Sequence, residues 1–382
     1  KNITNPNSPS LLWEFSNPDL GYSTSGPAII RIGAAGTNGK WFAVFASGPT
    51  GPIDTTNHQF LGKSDQNLKL FVLDLYTGSL VRTIDTGVSN AFSGSQYGTV
   101  IDTDKGDTAS SGFYSDDVFY LGYTKKDTAA STWTKGGVLR ITTKEDANPA
   151  NWVVSTVIDN IGPITSTVAK LQDRTNKILW LYFGTGRFFY RYGTSIDDAT
   201  GQQALYGLKE PCYSNTSVIP AGPTNDIDNT CTSTLTTSGL VDQSGTTPSS
   251  SISSTATGWY INLDAASGNI GAERVITDPL AAFFGAVFFT TYTPSTDICS
   301  LGGNTNIWAV NYNTGGVAGG LQGTAITQVS TGAIHELPLV TSFTEKGGRR
   351  TVAITGMPPK GQGLAILVGP KPLRKIMHIK ER

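Results

Sequence analysis

Methionine, cysteine, histidine and charge are all scarce in this 382-residue chain, which has two Met, three Cys, three His and only 15% Asp, Glu, Lys and Arg. The 28 basic and 29 acidic residues nearly cancel, so no basic field exists to hold nucleic acid or an anionic lipid surface. His58, His335 and His378 lie far apart without a repeated Ser or Asp context, which argues against a hydrolase triad. Glu210, Glu273 and Glu336 likewise stand singly, unlike the paired carboxylates of a glycosidase. No stretch approaches the ~20 apolar residues of a membrane span. The longest apolar run, residues 279–289, contains Gly285 and reads as buried strand. Cys212 and Cys231 fall in one Pro/Ser/Thr/Asn-rich excursion with no His nearby, which favours a disulfide over a metal site; two free thiols in a cytosolic protein are the alternative. Cys299 is left over, as a small buried side chain or the partner of a cysteine elsewhere.

What the chain does have is glycine (44 residues), abundant Thr and Ser, and 10% aromatics, a strand-and-turn composition with little material for helices. A turn pattern recurs: a short aromatic-rich strand, then Asp/Asn-x-x-Thr/Ser-Gly. The clearest copy spans residues 70–85 and turns at Asp74-Leu75-Tyr76-Thr77-Gly78; others turn at Asp264-Ala265-Ala266-Ser267-Gly268 and Asn311-Tyr312-Asn313-Thr314-Gly315. Asp or Asn caps backbone N–H groups two residues on, and Gly supplies the positive φ that closes the turn. Looser copies lie at residues 137–143 and 204–209. A hairpin cannot bury its own apolar face, so irregularly spaced copies are read as blades stacked on neighbouring blades. The expectation is an all-β chain forming one β-propeller domain over residues 1–382, with about five to seven blades at four strands each. Trp13 to Phe15 and residues 371–380 are the expected pair of ring-closing segments, the latter an edge strand with Lys and Arg outward. Residues 210–257, almost entirely Ser, Thr, Asn, Gly, Pro and Asp, are expected to form a surface insertion. Starting at Lys1 without a signal-peptide pattern, the sequence reads as the trailing part of a longer secreted protein.

Chemistry concentrates in one place. Asp102-Thr103-Asp104-Lys105-Gly106-Asp107 is followed by Tyr114-Ser115-Asp116-Asp117 immediately before a strand. Alternating carboxylates in a Gly-containing turn are what a hard cation requires. Asp102, Asp104, Asp107 and Asp117 are therefore the candidate metal ligands and calcium the candidate ion; the alternative is a turn whose carboxylates only cap backbone N–H groups. Lys105 and Gly106 interrupt the regular Asp-x-Asp-x-Asp-Gly order. Gly184-Thr185-Gly186-Arg187 is not a phosphate loop, because no helix start follows it.

These segments, taken in order, resemble the C-terminal β-propeller domain of the PilC/PilY family of type IV pilus tip-associated proteins. The resemblance is carried by Leu11-Leu12-Trp13-Glu14-Phe15 with Asp19-Leu20-Gly21-Tyr22, the strand and turn at residues 70–78, and residues 114–123. It continues through Gly136-Gly137-Val138-Leu139-Arg140 and residues 181–187 leading to 205–209. It implies a secreted protein, located at the cell surface on the pilus tip and also associated with the outer membrane. The implied roles are pilus biogenesis, adhesion and twitching motility, with minor pilins and a host or abiotic surface as partners and calcium in the Asp-rich loop. No catalytic constellation accompanies it, so an enzyme is not expected. The alternatives are a pyrroloquinoline-quinone dehydrogenase propeller, whose repeat the Asp74-x-x-Thr77-Gly78 turn also resembles, or a generic extracellular binding propeller. Quinoprotein repeats place Trp where Val81 and Arg82 stand, and the adjacent cysteine pair is absent.

Overall fold

The computed structural model describes residues 7–8, 10–34, 36–105, 112–213, 225–282, 285–297, 299, 302–329 and 333–367. The fold is all-β and propeller-like: five sheets of three to five strands follow one another along the chain, with two small hairpins inserted. The first sheet joins Ala28–Ile32, Lys40–Ala46, Lys69–Asp74 and Leu80–Asp85 in an antiparallel meander. The second runs Ala91–Ser93, Val118–Asp127, Thr132–Thr142 and Val153–Ile161. The third uses Ala169–Asp173, Ile178–Gly184, Ala204–Lys209 and Gly258–Asn262, with Leu240–Asp242 added in parallel. Arg274–Val275, Ala286–Pro294, Gly303–Asn311 and Arg350–Thr355 make the fourth, with Leu280–Ala282 pairing beside them. Ile334–Pro338, Thr324–Val329 and Pro359–Leu367 make the fifth.

Strand periodicity explains why these sheets stack. In Val118–Asp127, Val118 and Tyr120 enter the apolar cluster shared with the third sheet, while Phe119, Leu121 and Tyr123 enter the cluster shared with the first. Ile178–Gly184 divides the same way, with Leu179, Leu181 and Phe183 toward the second sheet and Trp180 and Tyr182 toward the fourth. In Ala286–Pro294, Val287 and Phe289 face the third sheet and Ala286 and Phe288 the fifth. Successive side chains of a strand point to opposite faces, so a strand between two neighbours must be apolar at every position, and such strands appear in sequence as unbroken hydrophobic runs. Each adjacent pair of sheets thus encloses one core, the arrangement of propeller blades.

The recurrent turn behaves differently at its three sites. At residues 70–85 it is a true hairpin: Asp74 Oδ1 accepts from the Tyr76 and Thr77 N–H groups at 3.1 and 2.8 Å, and the strands on either side pair. Gly78 sits at φ +73°, where a Cβ would lie 2.4 Å from the Trp13 ring. At Asn311 the turn forms, with the Asn313 N–H donating to its side chain at 3.1 Å. The chain then makes one bridge, Val310 to Val317, before leaving for the fifth sheet. The copy at Asp264 turns back only through the Ser267–Ile270 bridge and the Glu273 N–H on the Asp264 carbonyl and does not pair its flanking strands, which corrects the sequence reading: Gly258–Asn262 pairs within the third sheet and Arg274–Val275 within the fourth. Asp264 there binds Lys346 and Arg350 at 2.6 and 2.5 Å. Beside it, buried Glu273 accepts from Asn306, Trp308 and Arg350. These pairings commit that stretch to the fourth sheet.

Two further expectations are revised. Trp13 and Phe15 form no strand; they cover the outer face of the first sheet, with the Trp13 indole N–H donating to the Leu75 carbonyl at 2.9 Å and Phe15 against Phe45 and Phe71. Their proposed partner, residues 371–380, lies outside the described residues. The 210–257 segment is also more than a surface excursion. Cys212 and Cys231 form the expected disulfide, and Ile227, Leu235 and Leu240 are buried in the core between the second and third sheets. Leu240–Asp242 pairs with Gly258–Asn262, and buried Arg349 donates to the Gln243 and Gly245 carbonyls. A few apolar residues, a covalent closure and a guanidinium aimed at backbone oxygens hold the described parts of this segment, residues 210–213 and 225–257, whose composition alone reads as unordered.

Candidate metal centre

The strand beginning at Val118 fixes the site, because its first hydrogen bonds tie the Asp-rich turn to the blade edge. The Ile101 and Val118 backbones bridge, and the Thr103 N–H donates to Asp117 Oδ2 at 2.5 Å. Asp116 points the other way, its Oδ2 accepting from the Arg31 N–H at 2.6 Å and so joining the first sheet rather than the site. The turn after Thr132–Thr142 folds onto the same place: the Thr143 N–H donates to the Asp117 carbonyl at 2.8 Å, which brings Glu145 alongside.

Of the residues singled out in the sequence, Asp102, Asp104 and Asp117 come together, with one oxygen of each within 4.8 Å of the others. Asp107 lies outside the described residues. Two further candidate ligands were not evident in the sequence: Asp104 also stands within 4.8 Å of Glu145 and Asp226. Glu145 follows a strand with no Asp neighbour but Asp146, and Asp226 sits in the low-complexity segment. The available signal was the Asp226-Ile227-Asp228 pair of acids inside the Cys212–Cys231 loop.

The electrostatics are those of crowded, desolvated carboxylates, which a bound cation would relieve. Burial, then the neighbouring Asp104, pushes the Asp102 carboxyl up to about 7. Burial, and next Asp226, raises Asp117 well above the usual carboxylate range. Burial also raises Glu145 and Asp226, each with Asp104 adding to the effect. Among the described residues no lysine or arginine forms an ion pair with any of these five acids. Asp104 is 2% exposed, and neither of its oxygens has a hydrogen-bond donor among the described residues. An unpaired buried carboxylate costs several kcal/mol, of order 3–5 when its partner is missing; a turn that only capped its own backbone would not leave Asp104 so. Hard oxygen donors in this number fit a calcium-type ion. Such an ion would supply the missing countercharge and would be held by Asp102, Asp104 and Asp117, with Glu145 and Asp226 in reach.

The other candidate groups have structural roles. Arg187 of the Gly184-Thr185-Gly186-Arg187 stretch pairs with Asp197 at 3.0 Å and donates to the Leu61, Gly62 and Trp133 carbonyls. His58 and His335 are exposed, and His378 lies outside the described residues. Cys299 is a free, exposed cysteine.

The sheets and their shared cores define a propeller-like domain with an acidic pocket at the edge of its second blade. Comparison with known proteins narrows that class. The chain is 24% identical over 391 residues to a type IV pilus biogenesis factor PilY1 homolog of Xylella fastidiosa, an alignment covering 95% of this chain and 28% of that protein. A second PilY1 homolog of the same organism is 24% identical over 351 residues, 83% of this chain and 21% of the relative. The crystal structure of the Pseudomonas aeruginosa PilY1 C-terminal domain superposes with a TM-score of 0.56 at 18% identity, covering 97% of this chain and 77% of that one. No family model matches the chain. The resemblance to the PilC/PilY C-terminal propeller therefore holds in both sequence and fold, and the chain spans about a quarter of the length of the curated relatives it matches.

Proposed function

We propose that this chain is the propeller-like C-terminal module of a type IV pilus biogenesis factor, a single domain over residues 1–382 that acts by binding rather than by catalysis. The observation that carries this reading is the alignment with a PilY1 homolog over 95% of the chain. On this reading the protein is secreted and held at the cell surface on the pilus tip, with association at the outer membrane. There the propeller contacts minor pilins during assembly and supports attachment to a host or abiotic surface and twitching motility. Calcium in the acidic pocket, held through Asp102, Asp104, Asp117 and, in the sequence reading, Asp107, tunes that role. The buried Asp104 carboxylate, without a hydrogen-bond or ion-pair partner among the described residues, supports the calcium part of the proposal.

The test is surface piliation and twitching in a strain lacking the gene, complemented with versions that carry or omit this domain. Pili lost or immobile until the domain is restored are the expected result. Normal pili and motility without it would overturn the pilus assignment.

A further inference from the structure

The two carboxylate groups overlap at Asp104 but come from chain segments that are otherwise independent. Asp102, Asp104 and Asp117 belong to the turn at the edge of the second sheet. Asp226 belongs to the disulfide-closed segment between the Ala204–Lys209 and Leu240–Asp242 strands of the third sheet, more than 100 positions later. The contact between them is direct. Thr103 Oγ1 lies 2.7 Å from Asp117 Oδ2 and 2.6 Å from Asp226 Oδ1. One hydroxyl carries one proton, so it can satisfy only one of these carboxylates at a time; the other faces an oxygen lone pair at hydrogen-bond distance. The Thr103 and Ile227 N–H groups donate to the same two oxygens, Asp117 Oδ2 and Asp226 Oδ1, but Asp104 is 2% exposed and has no donor to either oxygen among the described residues, so the junction holds more carboxylate oxygens than donors, an excess that a bound cation or shared protons would relieve.

We propose that a divalent cation in this pocket is ligated from both sides, by the 102–117 turn and by Asp226, so that binding clamps residues 225–231 onto the second blade and loss of the ion releases them. This deepens the calcium reading of the same site and rests on it. Without the ion, Asp226 adds a fourth carboxyl to Asp104, Asp117 and Glu145, which protonation or separation must relieve, and the segment is held by the Cys212–Cys231 bond, the Asp228 N–H on the Cys212 carbonyl at 2.8 Å and contacts around Asn225 and Ile227. Gln172 Nε2 donates to the Thr103 carbonyl at 2.6 Å and reaches the Asn225 carbonyl at 3.4 Å, and Ile227 bridges Tyr213 and is buried. With the ion, repulsion becomes shared ligation. The Cys212–Cys231 bond limits the released segment to a short closed loop, so the change is local. Segment position thereby becomes dependent on external calcium, without rearrangement of the blades.

Hydrogen exchange of the intact chain, followed by mass spectrometry in millimolar calcium and in chelator, tests the clamp, with calcium titration calorimetry run on the same samples. The wild type is expected to bind calcium and to show amides 225–231 protected about tenfold or more, with little change in Lys69–Asp74 of the first sheet. Asp226→Asn is expected to bind calcium more weakly and, once saturated, to lose that selective protection. Calcium binding without protection of 225–231 would overturn the clamp and leave the metal site standing. Equal protection throughout the chain, or full protection in saturated Asp226→Asn, would also overturn it. No calcium binding by the wild type would remove the metal reading and the clamp together.

Discussion

Arg140 and Glu210 form an ion pair in which both side chains are fully buried, and breaking it from either side is expected to be among the costliest single changes in the molecule. Arg140 lies in the second sheet; Glu210 follows the last residue of Ala204–Lys209 in the third. The guanidinium also donates to Ser155 Oγ at 2.9 Å and the Ser233 carbonyl at 3.3 Å, while Glu210 Oε1 accepts from the Cys212 N–H at 2.9 Å. Among the described residues neither Arg140 Nε nor Glu210 Oε2 has a hydrogen-bond partner, so each charge depends on the other. Removing one leaves the survivor buried and uncompensated, a loss of about 3–5 kcal/mol, whereas replacing both by well-packed apolar side chains is close to neutral. Unfolding entropy of ~2.1 cal/mol/K per residue gives about 0.8 kcal/mol per kelvin for a chain of this length, so Glu210→Met or Arg140→Met should each lower Tm by about 4–6 °C. The Arg140→Met/Glu210→Met double variant should recover most of that loss. Calorimetry and urea unfolding of the four proteins form the cycle. Singles within about 1 kcal/mol of wild type, or a double as unstable as the worse single, would refute the reasoning.

Three further outcomes are expected. Calcium at a hundredfold excess over its Kd should add about 2.7 kcal/mol relative to chelator, a Tm rise of about 3 °C, reduced in Asp104→Asn; an unchanged wild-type midpoint would remove the site. Replacing Cys212 and Cys231 by Ser opens a loop with a sequence separation of 19 and should cost about 3 kcal/mol, read by denaturant unfolding, with earlier proteolytic cutting in that loop; equal midpoints would show that the other anchors suffice. The Asp159 carboxyl, pushed up by burial but held below its usual 3.8 by hydrogen bonds from Lys125 and Tyr123, stabilises the fold above that pH and loses its contribution as pH falls through the lowered value. The stability gap between wild type and Asp159→Asn should therefore be present at neutral pH and shrink in acid, and a gap that widened in acid would reverse the assignment.

The all-β character, the stacked blades, the disulfide and three of the acids that meet were legible along the chain before any packing was known. Each rests on short-range physics: turn chemistry at Asp74-x-x-Thr77-Gly78, strands apolar on both faces such as Val118–Asp127, cysteines close in sequence, and carboxylates within one turn. What the sequence did not determine was which strand pairs with which across longer gaps. The Asp264 copy has the same turn residues as the Asp74 copy but does not pair its flanking strands, because Lys346 and Arg350 take its carboxylate and Glu273 gathers Asn306, Trp308 and Arg350 into the fourth sheet. The polar 210–257 segment carries no hydrophobic periodicity, so nothing local announces that Ile227, Leu235 and Leu240 enter a core or that Asp226 reaches Thr103. Only the tertiary structure decided these points: partners far apart in sequence have no signature until packing brings them together, and the acidic pocket is completed by Glu145 and Asp226 for that reason.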